Sequence, residues 1–164
     1  MSNAIRIRKL FSHLLLVVWM LVIFCFSAQP GEDSADLSGK VSHIFMQVWN
    51  WIFGLGWDEV KVLEMTAIWD YPIRKLVHMT EFGILSMLVF LVIQYYEQID
   101  AGRKQYMCAW IGSVMYAASD EFHQLFVPDR SGNLFDVGVD ACGVTIALTL
   151  IYMIRRLYGR IRQF

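Results

Sequence analysis

A dense group of ionisable side chains marks residues 119–131 of this chain (SDEFHQLFVPDRS). The segment places carboxylates, an imidazole, an amide and a guanidinium at the end of a strongly apolar stretch. An ionisable group at membrane depth costs roughly 2.5–3.5 kcal/mol even on permissive insertion scales. Such a cluster therefore indicates a functional site or a network of ion pairs rather than a lipid-facing surface.

Three predicted helices carry ionisable groups on one face each. Arg74, His78 and Glu81 follow i, i+4, i+7 spacing, which aligns them on the second apolar helix. At about 1.5 Å per residue, His78, Asp120 and Asp140 each lie roughly 10 Å below the outer ends of their helices. We therefore predict one polar pocket, open to the outer side, in which the second, third and fourth helices face each other.

These residue types favour acid–base chemistry on an anionic substrate. A histidine would act as general acid or base, carboxylates would orient it, and guanidinium groups would hold an anion such as phosphate. The candidate catalytic residues are His78, Glu81, Asp120, His123 and Asp140. The candidate substrate-binding residues are Arg74, Glu121, Gln124, Arg130, Ser131 and Asp136.

Several of these residues have a structural alternative of comparable weight. Asp136 could close a capping box with Asn133 as the N-cap residue. Lys75 is expected to anchor its helix end to lipid head groups, and Glu121 to be either a solvated rim charge or a site residue. A divalent metal is a further alternative, because histidines with carboxylates suit zinc, although no His-Glu-x-x-His motif is present.

The composition indicates an integral membrane protein. The chain of 164 residues is 57% hydrophobic and 18% charged, and its apolar residues are gathered in long runs, unlike those of water-soluble domains. Four runs approach the roughly 20 residues that cross a bilayer: residues 10–28, 72–96, 105–126 and 133–154. The second should begin after Asp70-Tyr71-Pro72, because proline is favoured in the first turn of a helix.

The segment between the first two spans has a helical pattern of its own. Ser42, His43, Gln47 and Asn50 lie opposite an apolar stripe, which consists of Val41, Ile44, Phe45, Val48, Trp49, Ile52 and Phe53. We predict an amphipathic helix in the outer head-group layer, followed over residues 58–70 by a short acidic helix or loop. The predicted fold is all-α: an integral membrane four-helix bundle with this interfacial helix, in a single domain over residues 1–164.

The placement of basic residues predicts the orientation. Nine of the 14 lysines and arginines lie in the N-terminal segment, the middle hairpin and the tail, where Glu97 and Asp100 are the only acids. Because cytoplasmic loops carry the excess of lysine and arginine, both termini should be cytoplasmic and the polar pocket extracytoplasmic.

Four stretches of the chain resemble, in the same order, the VanZ-like family of bacterial membrane proteins. They are FSAQPG at residues 26–31, RKLVHMTEFG at 74–83, SDEFHQLFVPDRSG at 119–132 and DVGVDACG at 136–143. The third stretch is the most specific and the first is weaker. Asp129 stands where glycine is common in the family, a change that we expect to alter the turn without touching the site.

The resemblance implies an envelope-facing role in the bacterial cytoplasmic membrane. The family's named member confers low-level teicoplanin resistance, which implies a cell-wall precursor, a lipid head group or the lipidated glycopeptide as the ligand. Membrane lipids are the expected partners, and no nucleic acid is expected.

Three functions remain open at this point. The first is an extracytoplasmic enzyme that acts on a lipid-linked or cell-wall precursor. The second is a non-catalytic binder of an envelope lipid, a glycopeptide or a partner protein. The third, a small transporter, is disfavoured because the cytoplasmic halves of the predicted spans offer little polar lining.

Overall fold

A computed structural model describes residues 3–96 and 102–161, the last three without their side chains. All regular structure in these ranges is helical, which confirms the all-α prediction. The helices are α1 (Asn3–Ser27), α2 (Gly31–Phe53), α3 (Glu59–Ile93), α4 (Arg103–Gln124) and α5 (Leu134–Ile161). Four of the charges used for the orientation lie outside the described residues or side chains: Glu97, Asp100, Arg160 and Arg162.

Three of the helices, α1, α3 and α5, are long and apolar enough to cross a membrane. The more polar α4 does not belong to this group, so the fourth span and the four-helix bundle remain predictions. Helix α4 nevertheless contacts its neighbours near both of its ends. Near its start, the Tyr106 ring lies 4.5 Å from the Phe90 ring of α3 (centroid to centroid), and near its end Glu121 bonds to Asn133, just before α5.

Helix α3 packs against each of the other four helices and supplies the largest share of the core. Phe82, Leu85 and Phe90 are almost fully buried, and they form one cluster with side chains from three other helices: Ile23, Ala109, Ala117, Val144 and Leu148. Two hydrogen bonds tie α1 to this core. The Trp19 indole donates to the Glu81 carbonyl at 3.0 Å, and the Tyr116 hydroxyl donates to the Met20 carbonyl at 2.8 Å.

The predicted start of the second long helix at residue 72 is wrong. Helix α3 begins at Glu59, where the Asp58 side chain caps it by accepting the Lys61 backbone N–H at 2.8 Å, and Pro72 lies inside the helix. An interior proline removes one backbone hydrogen bond. Packing compensates for that loss, because Val62 and Ile73 on either side of the proline share a buried cluster with Met46 of α2. Residues 59–70 are therefore the first turns of α3.

Helix α2 contacts α3 through small polar side chains as well as through Met46. Ser42 is fully buried and bonds to Asp70 of α3, whereas the predicted apolar stripe from Val41 to Phe53 is exposed on the outside of the molecule. The location of this stripe in the head-group layer remains a prediction. An apolar face of this kind suits a membrane surface, since soluble proteins rarely expose large contiguous apolar patches.

A glycine sets the close contact between α3 and α5. A Cβ atom on Gly143 would lie 2.0 Å from the Met79 carbonyl oxygen, a backbone atom that cannot move aside by itself. The prediction that glycine on this face permits close helix contact is confirmed. The neighbouring Gly138 on the same helix meets nothing within 4 Å.

We predict that Gly143→Ala destabilises the protein by about 1–3 kcal/mol, because the added methyl group forces α5 away from α3. Gly138→Ala is the matched control and should be neutral or stabilising, since alanine is the better helix former. Both variants can be compared by thermal unfolding in detergent. The melting temperature should fall by about 2–4 °C for each kcal/mol lost from the free energy of unfolding. Equal melting temperatures for the two variants would contradict the close contact.

A second prediction concerns the number of spans. If α4 crosses the membrane with the other three helices, both termini lie on the cytoplasmic side, whereas three spans would put them on opposite sides. Green fluorescent protein should therefore fluoresce at either terminus. Alkaline phosphatase should be active when fused after residue 57 and inactive when fused after residue 104. Termini on opposite sides would exclude the fourth span.

Candidate functional site

A cavity of about 340 Å³, the polar cavity, lies between α3, the end of α4, the loop that follows it and the start of α5. Its lining includes eight of the residues predicted from the sequence: Arg74, His78, Glu121, Gln124, Arg130, Ser131, Asp136 and Asp140. The other lining residues are Gly31, Tyr71, Lys75, Asp129, Asn133 and Val139. The charged groups of three helices thus meet in one place.

A second cavity of about 260 Å³, the apolar groove, lies beside the first between α1, α2, α3 and α4. Its apolar lining comes from Ile23, Phe26, Leu37, Val41, Ile73 and Val77. Two predicted catalytic residues, Glu81 and Asp120, also line this groove. Arg74, His78 and Arg130 line both cavities, so the polar cavity and the apolar groove share a boundary.

His123 lies apart from both cavities. Its ring stacks on Phe24 with the centroids 4.8 Å apart, and its buried Nε2 atom has no hydrogen-bond partner among the described residues. Of the two predicted histidines, His78 alone lines the polar cavity and the apolar groove. The periodicity of α4 could not distinguish these positions, because His123 and Gln124 are adjacent on the helix and only Gln124 reaches the polar cavity.

Arg130 is fixed by backbone carbonyls rather than by a carboxylate. Its Nε atom donates to the Gln29 carbonyl at 3.2 Å and its Nη2 atom to the Phe26 carbonyl at 3.1 Å. No salt bridge joins Arg130 to a carboxylate in the part of the chain that is described. Burial and the positive charge of Arg74 lower the pKa of the Arg130 guanidinium, while three acids act in the opposite direction: Asp120, Glu121 and Glu81.

The loop that carries Arg130 packs tightly on the start of α2. The Gly31 N–H donates to the Pro128 carbonyl at 3.0 Å, and a Cβ atom on Gly31 would lie 2.0 Å from the Asp129 carbonyl oxygen. Asp129 adopts a left-handed conformation with φ of +57°, a region that glycine favours and that aspartate tolerates. Contrary to the sequence-based expectation, Asp129 also borders the site, because it lines the polar cavity.

Arg74 belongs to a network that the sequence analysis missed. Asp70 accepts hydrogen bonds from the hydroxyls of Ser38 at 2.6 Å and Ser42 at 2.8 Å, and it pairs with Arg74 at 3.3 Å. The Arg74 guanidinium also donates to Ser38 at 3.2 Å. The sequence feature that could have revealed this network is the i, i+4 spacing of two pairs, Ser38 with Ser42 on α2 and Asp70 with Arg74 on α3.

Lys75 is a second residue that sequence reasoning placed elsewhere. It pairs with Asp136 across the polar cavity and lies 5.1 Å from the Tyr71 ring centroid, so its interpretation as a lipid anchor is wrong. The pairing follows from helix geometry, because Lys75 lies about a quarter-turn from Arg74 and so faces α5 rather than α2.

The predicted helix cap at Asn133 is present. The Asn133 side chain accepts the Asp136 backbone N–H at 3.0 Å and donates to the Asp136 carboxylate at 3.0 Å. The backbone N–H of Asn133, which a complete capping box would give to Asp136, is instead donated to Glu121 at 3.0 Å. Asp136 is therefore both a capping partner and a cavity residue, and Glu121 links α4 to the start of α5.

Asp140 is the least satisfied group of the site. Only 1% of the residue is exposed, and neither carboxyl oxygen has a hydrogen-bond partner among the described residues. A buried polar group without a partner costs about 1–3 kcal/mol, and a charged one costs more. By contrast, Asp120 accepts from Gln124 at 3.1 Å, and Glu81 lies 3.7 Å from the Nδ1 atom of His78.

The candidate metal ligands do not form a ready-made cluster. Over the described ranges, no group of three or more histidine, cysteine, aspartate or glutamate side chains is arranged to hold a metal ion.

We predict that Asp140 is retained at a cost in stability. Asp140→Leu removes a buried carboxyl that has no hydrogen-bond partner among the described residues. The melting temperature in detergent should therefore rise by about 2–8 °C, which corresponds to about 1–2 kcal/mol. Asp136→Leu, one turn away on α5, removes the bonds to Lys75 and Asn133 and should lower the melting temperature. A loss of stability in Asp140→Leu equal to that in Asp136→Leu would show that Asp140 has protein partners.

The comparisons with known proteins agree with this arrangement of motifs. Residues 12–155 match the family model described as VanZ/LLP1, and this range contains every residue that lines the polar cavity and the apolar groove. Neither the curated proteins nor the solved structures gave a match. Since the family model covers most of the sequence, the chain belongs to the VanZ/LLP1 family of membrane proteins.

Proposed function

We propose that this VanZ/LLP1 protein binds the anionic head group of a lipid-linked or cell-wall precursor in its polar cavity, at the outer face of the cytoplasmic membrane. One observation carries the proposal: Arg130 has no carboxylate partner among the described residues and lies beside Arg74, where the polar cavity adjoins the apolar groove. Two guanidinium groups at such a boundary suit an anion, which accepts hydrogen bonds from both.

The outward orientation is supported by the separation of the charges along the bundle. Lys9 lies 4.5 Å from the Tyr96 ring centroid, and Arg155 bonds to Gln94, so these basic residues gather near the end of α3. The polar cavity lies at the opposite end of the bundle, around Lys75 and Asp136. Under the positive-inside rule the basic end is cytoplasmic and the cavity is external.

The first candidate function is an enzyme with His78 as the general acid or base. His78 lines both the polar cavity and the apolar groove, and so adjoins the linkage between the head group and the chain of a bound lipid. Glu81 lies 3.7 Å from its Nδ1 atom and would orient the ring. Asp120, His123 and Asp140 remain proposed contributors, with His123 the most remote.

The second candidate is a binder without catalysis. Among the described residues, His78 forms no hydrogen bond with a hydroxyl or thiol group that could serve as a nucleophile. Arg130 is held by two backbone carbonyls, an arrangement that presents a fixed charge to a ligand. Such a site would capture an envelope lipid, a glycopeptide or a partner protein in a stoichiometric manner.

A link to glycopeptide resistance belongs to the same proposal. Teicoplanin is a lipidated glycopeptide, and a site with a charged cavity beside an apolar groove matches an amphiphilic molecule of that kind. Either removal of a precursor or capture of the antibiotic at the outer membrane surface would reduce susceptibility.

The test is to identify the lipids that copurify with the wild type, with His78→Gln and with Arg130→Gln, and to measure the teicoplanin susceptibility of cells that express each. Binding through the guanidinium groups predicts that Arg130→Gln loses the copurified lipid and any protection. Catalysis by His78 predicts that His78→Gln keeps an unreacted lipid but loses the protection.

Arg155→Gln, at the other end of the bundle, is the matched control for loss of one guanidinium and should behave like the wild type. A binder predicts that His78→Gln retains both the lipid and the protection, and that protection increases in proportion to expression. An unchanged lipid content in Arg130→Gln would contradict the proposed function.

A further inference from the structure

The charged groups of the polar cavity do not all find partners within the protein. Lys75 pairs with Asp136, and Arg74 pairs with Asp70. Glu121 accepts the backbone N–H of Asn133. Asp129, which also lines the cavity, is exposed to solvent. Two less exposed groups remain in the described structure: the guanidinium of Arg130, without a carboxylate, and the carboxyl of Asp140, without any hydrogen-bond partner.

These two remaining groups have opposite signs and line the same cavity. They form no salt bridge with each other, although a pairing would satisfy both. A ligand with only an anionic group would serve Arg130 and leave Asp140 without a donor. A ligand that carries both an anion and a hydrogen-bond-donating cation would serve both groups.

The rest of such a ligand would lie in the apolar groove. It shares Arg74, His78 and Arg130 with the polar cavity and continues along apolar side chains of α1, α2 and α3. Leu37 and Val41 of α2 line the groove and are themselves exposed, so the groove reaches the surface on the side of the apolar stripe of α2. A hydrocarbon chain fits this path because it would be continuous with the lipid phase.

From this arrangement we infer that the ligand is a lipid with a zwitterionic head group, in which a phosphate and a primary ammonium group are close together. The phosphate binds at Arg130 and Arg74, the ammonium group donates to Asp140, and an acyl or isoprenoid chain occupies the apolar groove. This inference rests on the proposed function and adds the chemical class of the head group to it.

The experiment measures lipid binding to the purified full-length chain by native mass spectrometry with three probes that have identical acyl chains. Phosphatidylethanolamine carries both a phosphate and an N–H-donating ammonium group. Phosphatidylcholine carries a cation without N–H donors, and phosphatidic acid carries the phosphate alone. The wild type should bind phosphatidylethanolamine about tenfold more tightly than the other two, a difference of about 1.4 kcal/mol, because only its ammonium group can donate a hydrogen bond to Asp140.

Two variants test the contacts of the ammonium group and of the phosphate separately. Asp140→Asn should abolish the preference for phosphatidylethanolamine and leave phosphatidic acid bound equally or more tightly, because a negative charge is removed. Arg130→Gln should weaken all three lipids about tenfold. Asp58→Asn is the matched control for the loss of a carboxylate, because asparagine caps a helix as well as aspartate does and Asp58 is exposed.

A further variant tests whether the hydrocarbon chain occupies the apolar groove. Val41→Trp fills the apolar groove at its exposed end, so it should weaken long-chain phosphatidylethanolamine and leave water-soluble glycerophosphoethanolamine unaffected. A melting temperature measured for each variant shows whether the fold is retained.

The outcomes distinguish this inference from the proposal on which it rests. Equal affinity of the wild type for all three lipids, lowered by Arg130→Gln, overturns the zwitterionic head group and leaves the anionic site in place. A preference for phosphatidylethanolamine that persists in Asp140→Asn also overturns the inference. Lipid binding that Arg130→Gln does not change overturns both the inference and the proposed function.

Discussion

The structure depends on the mutual satisfaction of charged groups that cannot face lipid. Lys75 of α3 reaches Asp136 of α5, Glu121 of α4 accepts the N–H of Asn133, and Arg130 reaches back to carbonyls at the end of α1 and just after it. The first and third of these contacts join elements far apart in the sequence, and the second links the end of α4 to the start of α5. Exposure of the same groups to hydrocarbon would be unfavourable by several kcal/mol, so the helices are held with their polar faces together.

The two ends of the bundle are consequently packed in different ways. Towards the basic end, the helices pack through apolar side chains such as Phe90 and Leu148, and Gly143 allows α3 and α5 to approach closely near the middle. Towards the other end, the packing opens into the polar cavity and the apolar groove. A protein selected for stability alone would close this space with apolar residues, since replacement of buried ion pairs by well-packed apolar groups is often stabilising. The carboxyl of Asp140, which has no hydrogen-bond partner in the described part of the chain, supports a functional origin for the polar cavity.

The family-like stretches acquire a physical explanation from their positions. Residues 26–31 and 119–132 look unrelated along the chain, yet they meet where Arg130 binds the Phe26 and Gln29 carbonyls and where Gly31 lies against Asp129. Residues 74–83 and 136–143 supply the opposite wall and the glycine contact. The four stretches, which are separate in the sequence, therefore form one site in three dimensions.

Some expectations failed for reasons that local sequence cannot reveal. Proline at residue 72 suggested a helix start, but tertiary packing of Val62 and Ile73 on α2 outweighs the single lost hydrogen bond. Lys75 suggested a lipid anchor because its partner Asp136 is 61 residues away. The Ser38 and Ser42 contacts with Asp70 were missed because an amphipathic pattern does not indicate which face meets protein and which meets lipid.

The sequence by itself determined the all-helical fold and the apolar stretches long enough to cross a membrane. These properties follow from composition and from the fixed rise of an α-helix. The predicted common depth of His78, Asp120 and Asp140 was counted from a helix start at residue 72, whereas α3 begins at Glu59. Tertiary structure alone decided the rotation of each helix about its axis. That rotation brought Lys75 to Asp136, turned His123 onto Phe24 and created the apolar groove beside the polar cavity. It also left Asp140 without a donor among the residues that the structure describes. Periodicity defines which residues share a face, but the direction of that face depends on contacts between residues distant in the chain.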